Sequence, residues 1–469
     1  MLSSMNVGCS GIVNLRFMYF IDFFHFDAYY VMKSNFSKGS CVMIIKYVFE
    51  NLGPFKKEQT VFFTTKSNER NNDIDYIDVQ NFNIGNVSPV LAFFGANGSG
   101  KSTAIKALGI LSNILRRVKE VNEPILNINP FKLDEISQKE PTFLSATFLL
   151  DKKLFTYDIY LNSSKIFDEE LSMKSNDGGN MKSIFRRVLG EDGYSYNFNE
   201  EVIAQAEGIE KKDIQNRLKD WESYTKKNES FIAVATKFNS LFFKQVHDWC
   251  CKMFYADTGD SYLGYTAARS IDNNSKMKTE ILEFLNESDL NFKDYEVKKE
   301  EKKIPEEYRQ FFKKNLENNE DSDTHVEIEL STVYEGGKLN LREESSGTQA
   351  MIGLAVPVLR TLETGGILIL DEIQSKLHPH LVKYLVSLFN DKHHNENNAQ
   401  LIFTTHDTHI MNKDVSVSEI IICDKKNLKS SLFSMSSFNL TERNNIEKMY
   451  MDGQFRGIPY IRTHKDKEI

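Results

Sequence analysis

The stretch LAFFGANGSGKSTAIKALGIL, Leu91 to Leu111, constrains this chain more than any other. In it an apolar run, a glycine-rich turn and a helical stripe follow one another without a gap. Leu91, Ala92, Phe93 and Phe94 show no polar alternation, which is the pattern of a parallel strand covered on both faces. Gly95, Gly100, Lys101 and Ser102 then stand at the spacing G-x-x-x-x-G-K-S, with Asn97, Gly98 and Thr103 in the same run. Glycines let successive backbone N–H groups point inward at phosphate oxygens. A lysine at this place reaches the β and γ phosphates, and the serine hydroxyl serves magnesium. Ala104, Ile105, Ala107, Leu108, Leu111, Ile114 and Leu115 recur at helical spacing, so the helix buries one stripe on the sheet and aims its N-terminus at the same phosphates. An α/β fold with a nucleotide at this loop is the expectation.

A chain of 469 residues with 41% hydrophobic content has material for two or three cored domains. Its net charge of −8 supplies no global basic field, so any contact with nucleic acid must be local. Cys9, Cys41, Cys250, Cys251 and Cys423 form no C-x-x-C pair, which suits a reducing cytoplasm.

Residues 1–42 contain IVNLRFMYFIDFFHFDAYYVM, nearly as long as a membrane span but interrupted by Arg16, Asp22, His25 and Asp27. No membrane segment and no signal peptide are expected there. The run MIIKYVFEN from Met43 reads as a first strand, which suggests that translation starts at Met43 and that 1–42 is an upstream extension. Residues 43–196 read as the N-terminal half of a nucleotide-binding head. A second strand near Thr60–Thr64 and the runs PTFLSATFLL and KLFTYDIYLN belong to it, the last two as an antiparallel hairpin turning at Asp151 and Lys152. Residues 197–325 read as a helical insertion without a buried parallel strand. LFFKQVHDWCCKMF and KTEILEFLNESDL are its amphipathic helices, and Lys298–Lys314 forms solvated helix faces. Residues 326–469 return to strand character with GGILIL, QLIFTT and EIIIC, so two pieces distant in sequence build one sheet.

The apolar strand ILILDE ends in two carboxylates. With a phosphate loop upstream, Asp371 is placed to hold magnesium through water and Glu372 to polarise the attacking water. The turn REESSGTQ opens the helix-like AMIGLAVPVLRTL, interrupted by Pro357, and its small residues suit a second phosphate contact. His406 in QLIFTTHDTHI follows another buried strand, within reach of a γ-phosphate.

GANGSGKST, SSGTQ, ILILDE and TTHD, in this order, resemble the Walker A, signature, Walker B and switch-histidine elements of ABC-type ATPase heads, in the branch that includes RecF and the overcoming-lysogenization-defect proteins. ESSGTQ, LDEIQSKLHPHL, QLIFTTHDTHIM and DGQFRGIPYI together are similar to the RloA/AbiLi phage-defence ATPases, with PtuA of Septu and the PARIS ATPase as more distant relatives. The resemblance implies a P-loop ABC-type head split in sequence, with a mainly helical insertion and an antiparallel β side sheet. It implies ATP and Mg2+, and a head-to-tail pair in which each ATP lies between Gly95–Thr103 of one copy and Ser345, Ser346, Gly347 and Gln349 of the other. Ser102 and Asp371 then serve the metal, Glu372 is the base and His406 senses the γ-phosphate. Partners implied are a second copy and a separate Toprim/RloB-like or other nuclease effector. No nuclease activity of the chain itself is expected, since no HNH-like motif is present. A RecF-like maintenance ATPase that binds DNA directly is the alternative. The pattern departs from the family at Asn51–Phe55, where an NFRSF-like arginine is missing, and at Thr348, where a second glycine is usual. No Q-loop glutamine stands out, Gln138 being the nearest candidate.

Overall fold

The structure is a computed structural model that describes residues 42–65, 77–79, 82, 84–125, 127–175, 179–258, 275–303, 324–438, 440 and 445–459. The expectations for residues 1–41 and for the latter part of Lys298–Lys314 lie outside these. Contacts divide the chain into a smaller unit with Thr258–Leu359 and a larger one formed by Asn35–Asp257 and Arg360–Ile469.

In chain order the larger unit begins with β1 (Val42–Glu50), β2 (Gln59–Phe62), β3 (Ile77–Val79), β4 (Gly85–Val87), β5 (Val90–Gly95) and α1 (Lys101–Arg116). There follow β6 (Thr142–Leu150), β7 (Lys153–Leu161), β8 (Ile166–Ser175), β9 (Lys182–Gly190) and β10 (Gly193–Phe198). The helices α2 (Glu200–Glu207), α3 (Lys211–Tyr224), α4 (Phe231–Lys237) and α5 (Leu241–Cys251) then lead to β11 (Met253–Asp257). The smaller unit holds α6 (Ser275–Glu287), β12 (Asp294–Lys303), β13 (Thr324–Tyr334), β14 (Gly337–Asn340) and α7 (Ser346–Thr364) as far as Leu359. Back in the larger unit come β15 (Ile367–Asp371), α8 (Pro379–Asn390), β16 (Gln400–Thr404), β17 (Ile420–Lys426), β18 (Lys429–Ser434) and α9 (Ile446–Met451).

Among the described residues, one sheet of the larger unit runs β11-β15-β16-β5-β17-β18, parallel throughout except for the edge strand β18. Every residue of β5, β15 and β16 is buried, because a parallel sheet is covered on both faces; this is why these strands read as unbroken apolar runs. A second sheet, β10-β9-β8-β7-β6-β1-β2, is antiparallel throughout. The two-residue turn Asp151-Lys152 between β6 and β7 has φ of 47° and 62°, the geometry that matches strand twist in a tight hairpin. The sheets are joined by the buried Gln400. Its side chain accepts from the Ile44 N–H at 2.7 Å and donates to the Ile44 carbonyl at 3.1 Å, next to the bulge between Ile44 and Lys46, so it pairs with β1 as another strand would.

The change of character at Asn197 marks a change of element type. Ile203, Ile214, Leu218, Trp221, Phe231, Phe242 and Trp249 from α2 to α5 belong to the same apolar core as Ile105 and Leu108 of α1. The expectation of no parallel strand in this stretch is corrected by β11, which pairs in parallel with β15 from Met253↔Ile367 to Asp257↔Asp371. Met253 and Phe254 continue the helical spacing of α5 in sequence, yet the helix ends at Cys251. A five-residue strand abutting a helix leaves no periodicity of its own. Lys298–Lys303 lie in β12 and not on a helix. Pro357 does not interrupt α7, which runs through it with the residues around it buried. An internal proline costs a helix roughly 3 kcal/mol, and the burial of its neighbours opposes that cost.

Candidate functional site

The loop from Gly95 to Ser102 joins the buried end of β5 to the first turn of α1. Gly100, at φ 107°, caps α1 with no side-chain hydrogen bond, and no acidic residue occupies the first turn, so this helix end offers its dipole to an external anion. Glycine is required at two places for close approach. A Cβ on Gly95 would stand 2.4 Å from the Cys423 carbonyl oxygen of β17, and one on Gly100 would stand 2.7 Å from the Phe55 ring. The Asn51–Phe55 turn is therefore wedged against the loop. Buried Asn51 organises the neighbouring segment, accepting from the Phe131 N–H at 2.9 Å and donating to the carbonyls of Ser137 and Glu140.

Lys101 folds back over the loop. Its Nζ donates to the Gly95 carbonyl at 2.9 Å and the Ala96 carbonyl at 3.3 Å, and stands 2.9 Å from His406 Nε2. Burial holds the Lys101 ammonium below the usual lysine value, an effect opposed by Cys423, Glu372 and Asp371. Burial first, and the Lys101 charge second, hold the His406 imidazole below its ordinary value. A neutral imidazole beside a desolvated ammonium is an acceptor for it, and both can turn to an anion such as a terminal phosphate.

Asp371 ends β15 buried, with both carboxylate oxygens engaged. Oδ1 accepts from Ser102 Oγ at 3.0 Å and Thr404 Oγ1 at 2.7 Å, and Oδ2 accepts from Tyr255 OH at 3.2 Å with Lys106 Nζ at 3.8 Å. Burial, and after it the Asp371 charge, keep the Tyr255 phenol protonated and thus a donor. Glu372 follows, exposed, with φ of 50°, a left-handed conformation that costs a non-glycine residue about 1–3 kcal/mol. Its N–H donates to Thr404 Oγ1 at 2.8 Å, and its carbonyl accepts from the Ser375 N–H at 2.7 Å.

The Ser102 hydroxyl and the Asp371 carboxylate, in direct contact, are hard oxygen donors and fit magnesium, which takes one or two protein oxygens and fills its shell with water and phosphate. Among the described residues, no group of three or more His, Cys, Asp or Glu is gathered as a separate metal cluster. His378 instead caps α8, accepting from the His380 N–H at 3.2 Å.

In the smaller unit, Ser345 opens α7. Its hydroxyl accepts from the Thr348 N–H at 3.1 Å and lies 2.9 Å from the Thr348 hydroxyl, while the Gln349 side chain donates to the Glu344 carbonyl at 2.9 Å. Thr348 is thus engaged in the helix cap itself. Glu344 is in turn held by the hydroxyls of Thr332 and Tyr334 of β13.

The larger unit therefore brings Lys101 into contact with Gly95 and His406, and the adjacent Ser102 into contact with Asp371. Glu372 adjoins Asp371 in the chain, Asn97, Gly98 and Gly100 lie on the loop, and Thr103 lies in the first turn of α1 against Gly53. Ser345, Ser346, Gly347 and Gln349 stand in the smaller unit. Gln138 is exposed and donates to the Lys132 carbonyl at 2.7 Å within its own turn. Sequence reasoning missed Thr404, Tyr255 and Lys106. The first stands inside the quoted run QLIFTTHD, where only the histidine drew notice; the second lies on the strand that went unseen. It also gave no role to Gly457 of DGQFRG, where a Cβ would stand 3.7 Å from the Gly95 Cα, so this segment packs at the root of the loop.

Among the described residues no helix is long and apolar enough to cross a membrane. No curated protein matches the chain. Among solved structures it is similar to the Smc head bound to the C-winged helix domain of ScpA, at 15% identity over 83% of this chain and 96% of that one, with a TM-score of 0.37. It is also similar to the Smc head domain with a coiled coil and joint derived from Pyrococcus yayanosii, at 12% identity over 88% and 99%, with a TM-score of 0.40. The profile described as "AAA domain, putative AbiEii toxin, Type IV TA system" matches residues 90–412, from the strand before the phosphate loop to just past His406, and the chain belongs to that family of AAA-type ATPase domains.

Proposed function

We propose that the chain is the ATP-binding and hydrolysing sensor subunit of a two-component anti-phage defence system of the RloA/AbiLi kind. The observation that carries this reading is the convergence of Lys101, Ser102, Asp371 and His406, from the start of one helix and the ends of two different strands, on one phosphate loop. Lys101 and the loop N–H groups bind the β and γ phosphates of ATP. Ser102 and Asp371 would hold magnesium, which would supply charge neutralisation for the phosphates. Glu372 takes the proton of the attacking water as its oxygen bonds to the γ-phosphorus; the bond to the bridging oxygen breaks, and ADP leaves with its electron pair. His406 donates to, or orients, the γ-phosphate. The small residues Ser345, Ser346, Gly347 and Gln349 of a second copy complete the site, so that ATP lies between two chains arranged head to tail. Binding closes the pair, hydrolysis opens it, and a separate nuclease-type effector responds to the difference.

The test is Glu372→Gln, which removes the base and keeps the shape. The expected result is ATP bound with wild-type affinity and turnover lowered by about 100-fold or more. Wild-type turnover by this variant would overturn the assignment of the base.

A further inference from the structure

We propose that Thr404 is the positioning residue of the Asp371–Glu372 pair, a role that rests on the reading of Glu372 as the base. Thr404 is fully buried at the end of β16, and its one hydroxyl touches both residues: it donates to Asp371 Oδ1 at 2.7 Å and accepts from the Glu372 N–H at 2.8 Å. The direction of these bonds is fixed. A peptide N–H only donates and an ionised carboxylate only accepts, so the hydroxyl has one arrangement that satisfies both. The Ile373 N–H adds a third tie, donating to the Thr404 carbonyl at 3.1 Å. Two consecutive peptide groups, those of Glu372 and Ile373, are therefore pinned to one residue of the neighbouring strand.

These ties fall where the chain most needs holding. Glu372 is in the left-handed region at φ 50°, and this turn carries its side chain from the buried strand end to the exposed surface. Without the hydroxyl, the Glu372 N–H loses this acceptor and the left-handed turn that directs the Glu372 side chain relaxes. Asp371 Oδ1 would also lose its shortest hydrogen bond, keeping that from Ser102 at 3.0 Å. Thr404 stands two residues before His406, and the Thr405 N–H donates to the Phe93 carbonyl of β5 at 3.0 Å. One short segment thus positions the carboxylate pair, contacts the strand that carries the phosphate loop, and presents the histidine.

The experiment compares Thr404→Val, which keeps the shape and removes the hydroxyl, with Thr404→Ser, which keeps the hydroxyl. For the valine variant the expected result is a fall in kcat of about 30-fold or more, since small misplacements of a reacting group cost on the order of 100-fold. Its ATP affinity stays within about threefold, and its bound nucleotide shifts from ADP toward ATP. The serine variant stays near wild type in all three. A wild-type rate in the valine variant overturns the inference, as does a serine variant equally slow, because the methyl group would then carry the effect. Should valine prevent folding, Thr404→Cys replaces it: its weak donor and acceptor leave the rate well below that of serine, and a cysteine rate equal to the serine rate overturns the inference. A normal valine rate beside an inactive Glu372→Gln breaks only the role of Thr404, whereas wild-type turnover in Glu372→Gln breaks the reading of the base.

Discussion

Two turns in this chain open a helix with small residues, and they treat the first helical N–H groups in opposite ways. At the phosphate loop, Gly100 caps α1 with no side chain and with φ of 107°, while Lys101 bends back over the loop carbonyls. At the start of α7, the Ser345 hydroxyl takes the Thr348 N–H, the Thr348 hydroxyl answers it, and the Gln349 amide closes on the Glu344 carbonyl. The first turn leaves its cradle to a ligand; the second has its own internal partner. Both read alike in sequence, as glycine and serine before an apolar helix, and only the first has a lysine and an aspartate brought to it within its own unit.

The comparison breaks most sharply at Lys101. Lys101→Ala is expected to weaken ATP binding by about 100-fold or more, measured by equilibrium dialysis, because the desolvated ammonium is the loop's own counter-charge for phosphate. Unchanged affinity would mean that the cradle serves something else. Ser345→Ala should act through stability, lowering it by about 1 kcal/mol in denaturant titration as the helix cap is lost. Its effect on ATP affinity of the separated chain should be negligible. A collapse of that affinity would erase the distinction between the two turns.

The smallest effect is a pH slope. Because His406 is held below its ordinary value, the unfolded chain binds more protons than the folded one as pH falls through that value, and stability declines over this window. Above the unfolded value of 6.5, both states are neutral at this site and the contribution is fully present. His406→Asn should flatten the dependence of the thermal midpoint between about pH 7 and 5, although its exposure makes the change small. An unaltered slope would mean that neither burial nor the Lys101 charge perturbs the imidazole. His247 runs the other way. Its hydrogen bonds and charges from Asp248 and Cys251 outweigh burial and raise it to about 9, so its contribution is present below 6.5 and is lost as pH rises through 9. The His406 window is therefore read as the difference between His406→Asn and the wild type, in which the His247 contribution is the same and cancels.

What the sequence disclosed follows the same physical divide. The strands β5, β15, β16 and β17 were legible because burial on both faces writes an unbroken apolar run, and the loop because its glycines and lysine have few substitutes. The short strand β11 was hidden by the helix that precedes it. Thr404 and Tyr255 were hidden for another reason: a hydroxyl that reaches a carboxylate from a neighbouring strand leaves no spacing in the sequence, since the register between strands creates the contact. The left-handed backbone at Glu372 carries no glycine to announce it. Whether the Ser345 turn meets a phosphate belongs to the relation between two copies.

That relation is tested most directly by mixing two inactive variants, Lys101→Ala and Ser346→Arg, each of which spoils one half of the shared site. In a head-to-tail pair, the mixed dimer combines the intact phosphate loop of one chain with the intact Ser345–Gln349 turn of the other. An equal mixture is predicted to recover about a quarter of wild-type ATP hydrolysis, since half the dimers are mixed and each holds one whole site. A mixture as inactive as its components would contradict the account.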